Sequence, residues 1–595
     1  MRYLFVAFML TASFLIHAAD QPLREAPQVL TGADHGIGEV LADVSFKSLE
    51  GDRVVLSKYS NKKAVVLLLW TPNCPISKKY APRMSELEKE FAAKEVQFLL
   101  FNCSGDPVEE IKSGMKLQSL SFPALIDSDE SARKALRAKT TTDVFVLGAD
   151  RKLLYRGAID DQYGQGYSHE APRHNYLRDA LNSVLAGEAV KISATTAPGC
   201  ELPPEAAPAK SGVTFYGEVL HIMQRNCQEC HRPGGAAPFA LMNFDQVRRK
   251  AQVIKRVTAR RTMPPWFADP KVGGPWANDK SLTDAEIKTL AEWADNGTPE
   301  GDPKLAPPPR EWADGWRIGK PDLIFQIPKP VKIPAQGTMP YQYIKVPTNL
   351  TEDTWVQAVE LLPTNPEVVH HSQVFLIVDG KEQYDKAPEI GGRGQVYFAA
   401  QAPGETVLRF PEGSAKLIPK GAIMLFEIHY TPIGVETEEQ IRVGVIKAKE
   451  KPKLEVKSFD IRNMRFRIPP GAKDHKESAE FAFKNPTRLY AFQPHMHLRG
   501  KSFTFDLVYP DGKTEPILNV PRYDFRWQTS YRLKNPLDIP AGSKLKVTGW
   551  FDNSADNPAN PDPKAWVSSG GETTDEMLVG FGEWSDLSAA AAGNR

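Results

Sequence analysis

HMHLRGKSFTFDLVY, residues 495–509, opens on two histidines two residues apart and continues in alternating apolar and polar positions. That alternation is the pattern of a half-buried β-strand. On a strand this spacing points both imidazoles to one face, so His495 and His497 can share a metal ion. Similar apolar, strand-like runs surround the preceding histidines: EVVHHSQVFLIV (367–378) carries His370 and His371, and AIMLFEIHY (422–430) carries His429. His370 and His371 are adjacent, so a regular strand aims them oppositely. If both bind one ion, a bulge or a strand end must re-aim one of them. Farther along, Met577 closes the tripeptide Asp575-Glu576-Met577. All five cysteines lie before residue 231, so this half of the chain offers imidazole and thioether without thiolate. Such a donor set suits copper cycling between Cu(I) and Cu(II). The region should form two all-β, jelly-roll-like sandwiches, residues 320–455 carrying His370, His371 and His429, and residues 456–585 carrying His495, His497 and Met577.

The order HH…H…HxH…M resembles that of the copper type II, ascorbate-dependent monooxygenases, which include peptidylglycine α-hydroxylating monooxygenase and dopamine β-monooxygenase. The resemblance spans about residues 320–585. It implies that His370, His371 and His429 hold an electron-transfer copper, and that His495, His497 and Met577 hold the copper that binds dioxygen. It further implies O2-dependent hydroxylation of a C–H bond in a small-molecule substrate, with electrons from ascorbate or another reductant. The peptide hydroxylase holds a carboxylate with an Arg before its HxH and with Asn and Tyr after its ligand Met. This chain has Gln493, Val579 and Phe581 at those places. A carboxylate clamp needs a guanidinium or equivalent donors, so a glycine-extended peptide is not the expected substrate. The amine of a catecholamine is equally unsupported.

A chain of 595 residues suggests three to five domains. Lys and Arg number 74 against 73 Asp and Glu, and no basic cluster stands out, so nothing points to nucleic acid or an anionic membrane surface. The start, MRYLFVAFMLTASFLIHAAD, has Arg2, an apolar run and small residues at Ala18-Ala19. It reads as a secretory signal cleaved near Ala19, although His17 is a poor fit to the cleavage pattern. The alternative, an uncleaved anchor, has too short an apolar run to span a bilayer comfortably. No other stretch is long enough to cross a membrane, so the expected location is the periplasm or the exterior. Two Pro/Ala-rich segments, 195–210 and 301–315, favour extended linkers over packed structure.

Between these linkers stands Cys227-Gln228-Glu229-Cys230-His231. CxxCH is the attachment signature of c-type haem, with two thioether links and an axial imidazole. A zinc site or a redox CxxC followed by a chance His are the alternatives, but zinc would need further nearby ligands. Helices are expected over 215–225, over 244–257, and from a Thr283 cap with Glu286 three residues on to a Gly297 stop. This is the arrangement of a small all-α cytochrome c. Met263 in RRTMPPW is the expected sixth iron ligand, with Met242 and His221 as competitors. Met/His ligation means electron transfer, not oxygen chemistry.

Residues 33–190 alternate strand and helix: AVVLLLW (64–70), a helix over 78–94, a strand over 96–101, and a hairpin of 144–147 with 153–156. This resembles the thioredoxin-like redoxin domains of the peroxiredoxin and thiol-oxidoreductase type. Cys74 then stands where that fold places its nucleophile, at a helix N-terminus that lowers thiol pKa. Three departures are visible. Ser77 replaces the second cysteine of CxxC, Leu67 stands where peroxiredoxins have Pro, and Thr142-Asp143 stands where a cis-proline is usual. Cys74, Cys103 and Cys200 lie outside the haem motif, and the sequence leaves open which of them pair and whether a pair is structural or redox-active.

The chain therefore reads as multidomain: a signal segment 1–19, a thioredoxin-like α/β domain 33–190, a linker 191–212, a cytochrome c domain 213–300, a linker 301–319, and sandwiches 320–455 and 456–585. Together the parts suggest an exported copper monooxygenase whose fused haem relays electrons, its own or those of a periplasmic donor. Fusion would raise the effective donor concentration. A non-catalytic electron-transfer or copper-binding protein is the second reading, and a thiol peroxidase or oxidoreductase at Cys74 the third.

Overall fold

The computed structural model describes residues 24–203, 212–313, 315–378 and 395–588. The expected signal segment lies outside the described residues.

The N-terminal part is a thioredoxin-like α/β domain. Its sheet runs, edge to edge, Arg53–Val55, Ser45–Ser48, Ala124–Ile126, Val96–Asn102, Ala64–Leu69, Val144–Gly148 and Leu153–Gly157. The central AVVLLL strand is buried on both faces, as a continuous apolar run in a covered sheet must be. Val66 and Leu68 pack under the helix Pro75–Ala92 with Tyr80, Met84 and Phe91, while Val65, Leu67 and Leu69 face Phe46, Phe101 and Phe145. That helix starts three residues earlier than expected. Pro75 occupies its first turn, where the missing N–H costs nothing, and Cys74 is the N-cap.

Part of the first expected linker is not a linker. Ala194 bridges Arg156, Thr195 bridges Val29, and Glu201 bridges Thr140, so the chain up to Leu202 is laid onto the domain. A glycine makes this crossing feasible: a Cβ at Gly157 would lie 2.1 Å from Thr195 Oγ1, at a φ of +140°.

Within residues 213–300, helices alternate with long irregular stretches. The chain coils over 215–227, largely in wide π-type turns, then forms Phe244–Arg248, Ala251–Ala259 and Asp284–Asp295. The last helix begins with the anticipated capping box between Thr283 and Glu286. The single helix expected over 244–257 is instead broken at Arg249-Lys250. Lys250 leaves the helical conformation there, and its Nζ donates to Asn73 O at 2.9 Å. Phe215, Val219, Met223, Leu241, Val247, Leu290 and Trp293 form the core of this unit.

The C-terminal region is all-β and holds two face-to-face sheet pairs. In the first, the sheet of Leu323–Gln326, Arg442–Lys447, Thr354–Leu362 and Ser414–Ile418 faces Gln342–Pro347, Ile423–Tyr430, Val369–Ile377 and Gln395–Gln401. Val356, Val359, Val374, Phe426 and Val443 fill the space between them. In the second, Lys457–Asn463, Leu578–Asp586, Thr487–His495 and Tyr531–Ile539 face His475–Ala482, Lys544–Phe551, Gly500–Val508 and Thr514–Val520. Its core holds Phe459, Phe492, Met496, Phe505 and Val547. An apolar cluster of Phe375, Leu425, Met577, Val579 and Phe581 joins the two pairs. The buried ion pair Lys416–Glu583 (2.9 Å) joins them again.

Candidate metal centre

His370, His371 and His429 lie on two adjacent antiparallel strands. His371 pairs with His429 across the ladder, and the register shifts between Val369 and His371. That irregularity is the bulge the adjacent histidines required: His370 is the extra residue, and its ring turns to the side shared by the other two. The three ring centroids stand 4.8–5.4 Å apart, and one ligand nitrogen from each lies within 4.8 Å of the others. All three Nδ1 atoms are buried without a hydrogen-bond partner. An uncompensated buried imidazole nitrogen is costly, and three of them converging form a donor set suited to a metal ion. Tyr341 holds the back of the set: its Oη is 3.3 Å from His371 Nε2 and its ring stacks on His429 at 4.7 Å.

His495 and His497 point to one face of their strand and its end, as period two demands, while Met496 points into the core beneath Gly549. His495 Nδ1 is 2.7 Å from Gln528 Oε1, and His497 Nδ1 is 3.3 Å from the Asp575 carbonyl. Both acceptors fix the Nδ1–H tautomer and leave the Nε2 lone pairs free, the arrangement that orients metal-bound histidines. The Glu576 carboxylate clamps the neighbouring turn, accepting the backbone N–H of His497 (2.9 Å) and of Arg499 (2.6 Å). Met577 is buried one residue before the strand Leu578–Asp586, in which Val579 pairs with His495. Continuing that register places Met577 across from His497, on the face of Val579 and Phe581.

The two sets are not isolated from each other. The His371 and His495 rings are 6.2 Å apart, and Phe525 stands between the groups, 4.9 Å from His370 and 5.9 Å from His497. Burial pushes the basicity of all five imidazoles down, His429 and His495 to about 4, and neighbouring imidazoles push four of the five further. Neutral rings present lone pairs without proton competition. Gln528, Tyr341, Phe525 and Glu576 carry no motif that singles them out; only Glu576 is hinted at, by its place beside Met577.

In the CxxCH segment the helix ends at Cys227, whose carbonyl accepts the N–H groups of Cys230 (3.2 Å) and His231 (3.0 Å). His231 Nδ1 is 3.1 Å from Phe239 O, and the ring packs on Phe239 at 4.7 Å. The Nδ1–H is thereby held and Nε2 left free, which fits axial ligation of haem iron by His231. Burial pushes this imidazole down to about 4. Cys227 and Cys230 are half-buried, and so is Met263, which follows the helix Ala251–Ala259 with its N–H on Val257 O. Cys230 lies against Gly404 of the first sheet pair, where a Cβ would come within 2.7 Å of its sulfur. Cys74 is fully buried in the N-terminal domain, its Sγ 3.3 Å from that of Cys200.

Comparison with known proteins bears on two parts of the chain. Residues 37–156 match the AhpC/TSA family. Residues 468–582 match the copper type II ascorbate-dependent monooxygenase C-terminal domain. No curated protein matches. Among solved structures, a hypothetical protein from Sinorhizobium meliloti is 22% identical, covering 30% of this chain and 96% of its own, with a TM-score of 0.27. The peroxidoxin BcpB of Mycobacterium tuberculosis is 21% identical, covering 25% of this chain and 94% of its own, with a TM-score of 0.20. A secreted Mycobacterium tuberculosis disulfide oxidoreductase is 19% identical, covering 24% of this chain and 96% of its own, with a TM-score of 0.19. The chain thus carries a thioredoxin-like AhpC/TSA domain and a copper monooxygenase-type C-terminal domain, both consistent with an oxidoreductase.

Proposed function

We propose that the protein is an exported copper-dependent monooxygenase that hydroxylates a small molecule with O2. The observation that carries this reading is the nest of five imidazoles, four buried and His370 half-buried, with three orphaned Nδ1 atoms on one side and two oriented Nε2 atoms on the other. His370, His371 and His429 would hold one copper, and His495, His497 and Met577 the second. Copper there supplies one-electron redox chemistry and activation of dioxygen, with the thioether of Met577 favouring the Cu(I) state. The protein's share of the work is positional. Gln528 and the Asp575 carbonyl hold the Nδ1 protons of His495 and His497, Glu576 ties the turn after His497 to the segment that carries Met577, and Phe525 fills space between the sets. Ascorbate or another reductant, including a periplasmic donor, feeds the centre.

Cys227, Cys230, His231 and Met263 would hold a c-type haem, which supplies electron transfer. The held Nδ1–H of His231 supports this assignment. Oxygen uptake by copper-loaded protein, measured together with hydroxylated product over a panel of C–H donors, tests the main reading. Uptake coupled to product, lost in His495→Ala, is expected; copper binding with no product under any donor would favour a non-catalytic copper-binding or electron-transfer protein. A Cys227→Ser/Cys230→Ser double variant that keeps full turnover with a periplasmic donor would reject the haem as the relay.

A further inference from the structure

The sulfurs of Cys74 and Cys200 are 126 positions apart in sequence and 3.3 Å apart in space, with the Cys200 thiol donating to Cys74. Cys103 is elsewhere, packed among Phe101, Leu125 and Phe145 on the other side of the sheet. The approach of Cys200 is built. Its N–H donates to Thr141 Oγ1 (3.0 Å), its carbonyl accepts the Thr141 N–H (2.9 Å), and Glu201 bridges Thr140. A Cβ at Gly199 would sit 2.7 Å from Thr142 N, so only glycine lets the two backbones close. This contact falls on the Thr140–Thr142 stretch, where the domain lacks the proline that usually shapes a thiol-docking backbone. Ser77, in the place of a second CxxC cysteine, donates its hydroxyl to Thr141 O at 2.8 Å and steadies that stretch. The chain's own segment is docked there as an extended thiol substrate would be.

We infer that Cys74 and Cys200 form one reversible dithiol–disulfide pair, Cys74 as attacking thiolate and Cys200 as resolving thiol, exchanging with low-molecular-weight disulfides and dithiols. Burial pushes the Cys74 thiol up. The Cys200 hydrogen bond, the Lys250 ammonium and the hydrogen bonds of Thr141 and Ser77 outweigh it and hold Cys74 well below the ordinary thiol range. Cys200, as the donor of that bond, is held well above it. In the oxidising direction the Cys74 thiolate attacks one sulfur of a small disulfide RSSR, the S–S bond breaks and RS⁻ leaves. Cys200 then gives up its proton and attacks Cys74 Sγ, forming the internal disulfide and releasing the second thiol, so RSSR gains the two electrons that the cysteine pair loses. A dithiol runs the sequence in reverse.

The test equilibrates full-length protein in reduced and oxidised dithiothreitol at graded ratios, quenches with acid, alkylates, and maps cysteine peptides by mass spectrometry. A single Cys74–Cys200 cross-link should rise in a two-electron transition and vanish fully on reduction of the folded protein. Cys103→Ser should leave it unchanged, and Cys200→Ser incubated with oxidised glutathione in place of dithiothreitol should trap one glutathione on Cys74. A cross-link to Cys103, both thiols free at every ratio, or a cross-link that reduces only after denaturation would each overturn the proposal. Should Cys200→Ser fail to fold by circular dichroism, the wild-type and Cys103→Ser titrations still decide.

Discussion

Gln528 shows what a single side chain contributes to this centre. Its Oε1 holds His495 Nδ1 at 2.7 Å while its backbone carbonyl accepts from Gln493, whose own Oε1 accepts from Tyr397 of the first sheet pair. Replacing it with Leu removes the acceptor that fixes the tautomer and ring orientation. Partners of this kind typically matter 10–100-fold in metal affinity. Gln528→Leu should therefore weaken one of two copper sites by about that factor in a chelator competition titration, and Gln528→Glu should restore much of the loss. The histidines themselves were legible in the sequence because their apolar, strand-like context fixes the face they occupy. Gln528 was not: it stands 33 positions from His495, and an isolated glutamine in a loop bears no periodic signal. Ser77 and Thr141 illustrate the same limit. Absent motif residues are visible in a sequence, but the segment that takes their place is not.

At the scale of elements, two adjacent strand histidines can face one ion only through a bulge or at a strand end, and the register shift at His370 is the outcome found. The capping box at Thr283 and the continuous apolar strand at 64–69 were equally readable, each resting on a local pattern. The 195–202 segment misled because its Pro and Ala content describes an unpaired chain, whereas isolated bridges to Val29 and Thr140 hold it in place. Gly199 decides that contact. Gly199→Val forces side-chain atoms into the Thr141-Thr142 backbone, so the segment should lift, at a cost of about 1–3 kcal/mol. Denaturant unfolding followed by tryptophan fluorescence measures the loss. Cys74 should at the same time be alkylated several-fold faster than in the reduced wild type under native conditions. The helix break at Lys250 has a similar origin: an ammonium reaching Asn73 O competes with helix continuation, and neither residue announces the other.

At the scale of the molecule, the thioredoxin-like domain and the all-β C-terminal region were legible from local patterns, but their mutual placement was not. The thioredoxin-like domain sits against the histidine nest. Lys78 reaches Glu367, three residues before His370, at 3.5 Å, and Gly434 packs against the Lys78 backbone, where a Cβ would lie 2.0 Å from Lys78 O. Lys79 and Arg526 both bring positive charge to bear on His370. Contacts across such sequence distances leave no trace in local pattern. Gly434→Val should wedge this interface open, and a hydrophilic chelator should then strip copper several-fold faster while the copper EPR signal before stripping stays unchanged. Between the two sheet pairs, Lys416 and Glu583 form a buried pair, 5% and 12% exposed in their side chains. Removing one partner leaves an uncompensated charge, so Lys416→Ala should destabilise the C-terminal region by about 3–5 kcal/mol in denaturant unfolding, and the pair replaced by Met and Leu should cost far less. The central claim is that folding gathers five imidazoles and one thioether into two copper cages. X-ray absorption at the copper edge, on ascorbate-reduced wild type and Met577→Ala with metal content measured in parallel, tests it most directly. Two coppers per chain and a sulfur scatterer that disappears in Met577→Ala are predicted; a single copper, or a sulfur signal indifferent to Met577, would contradict the account.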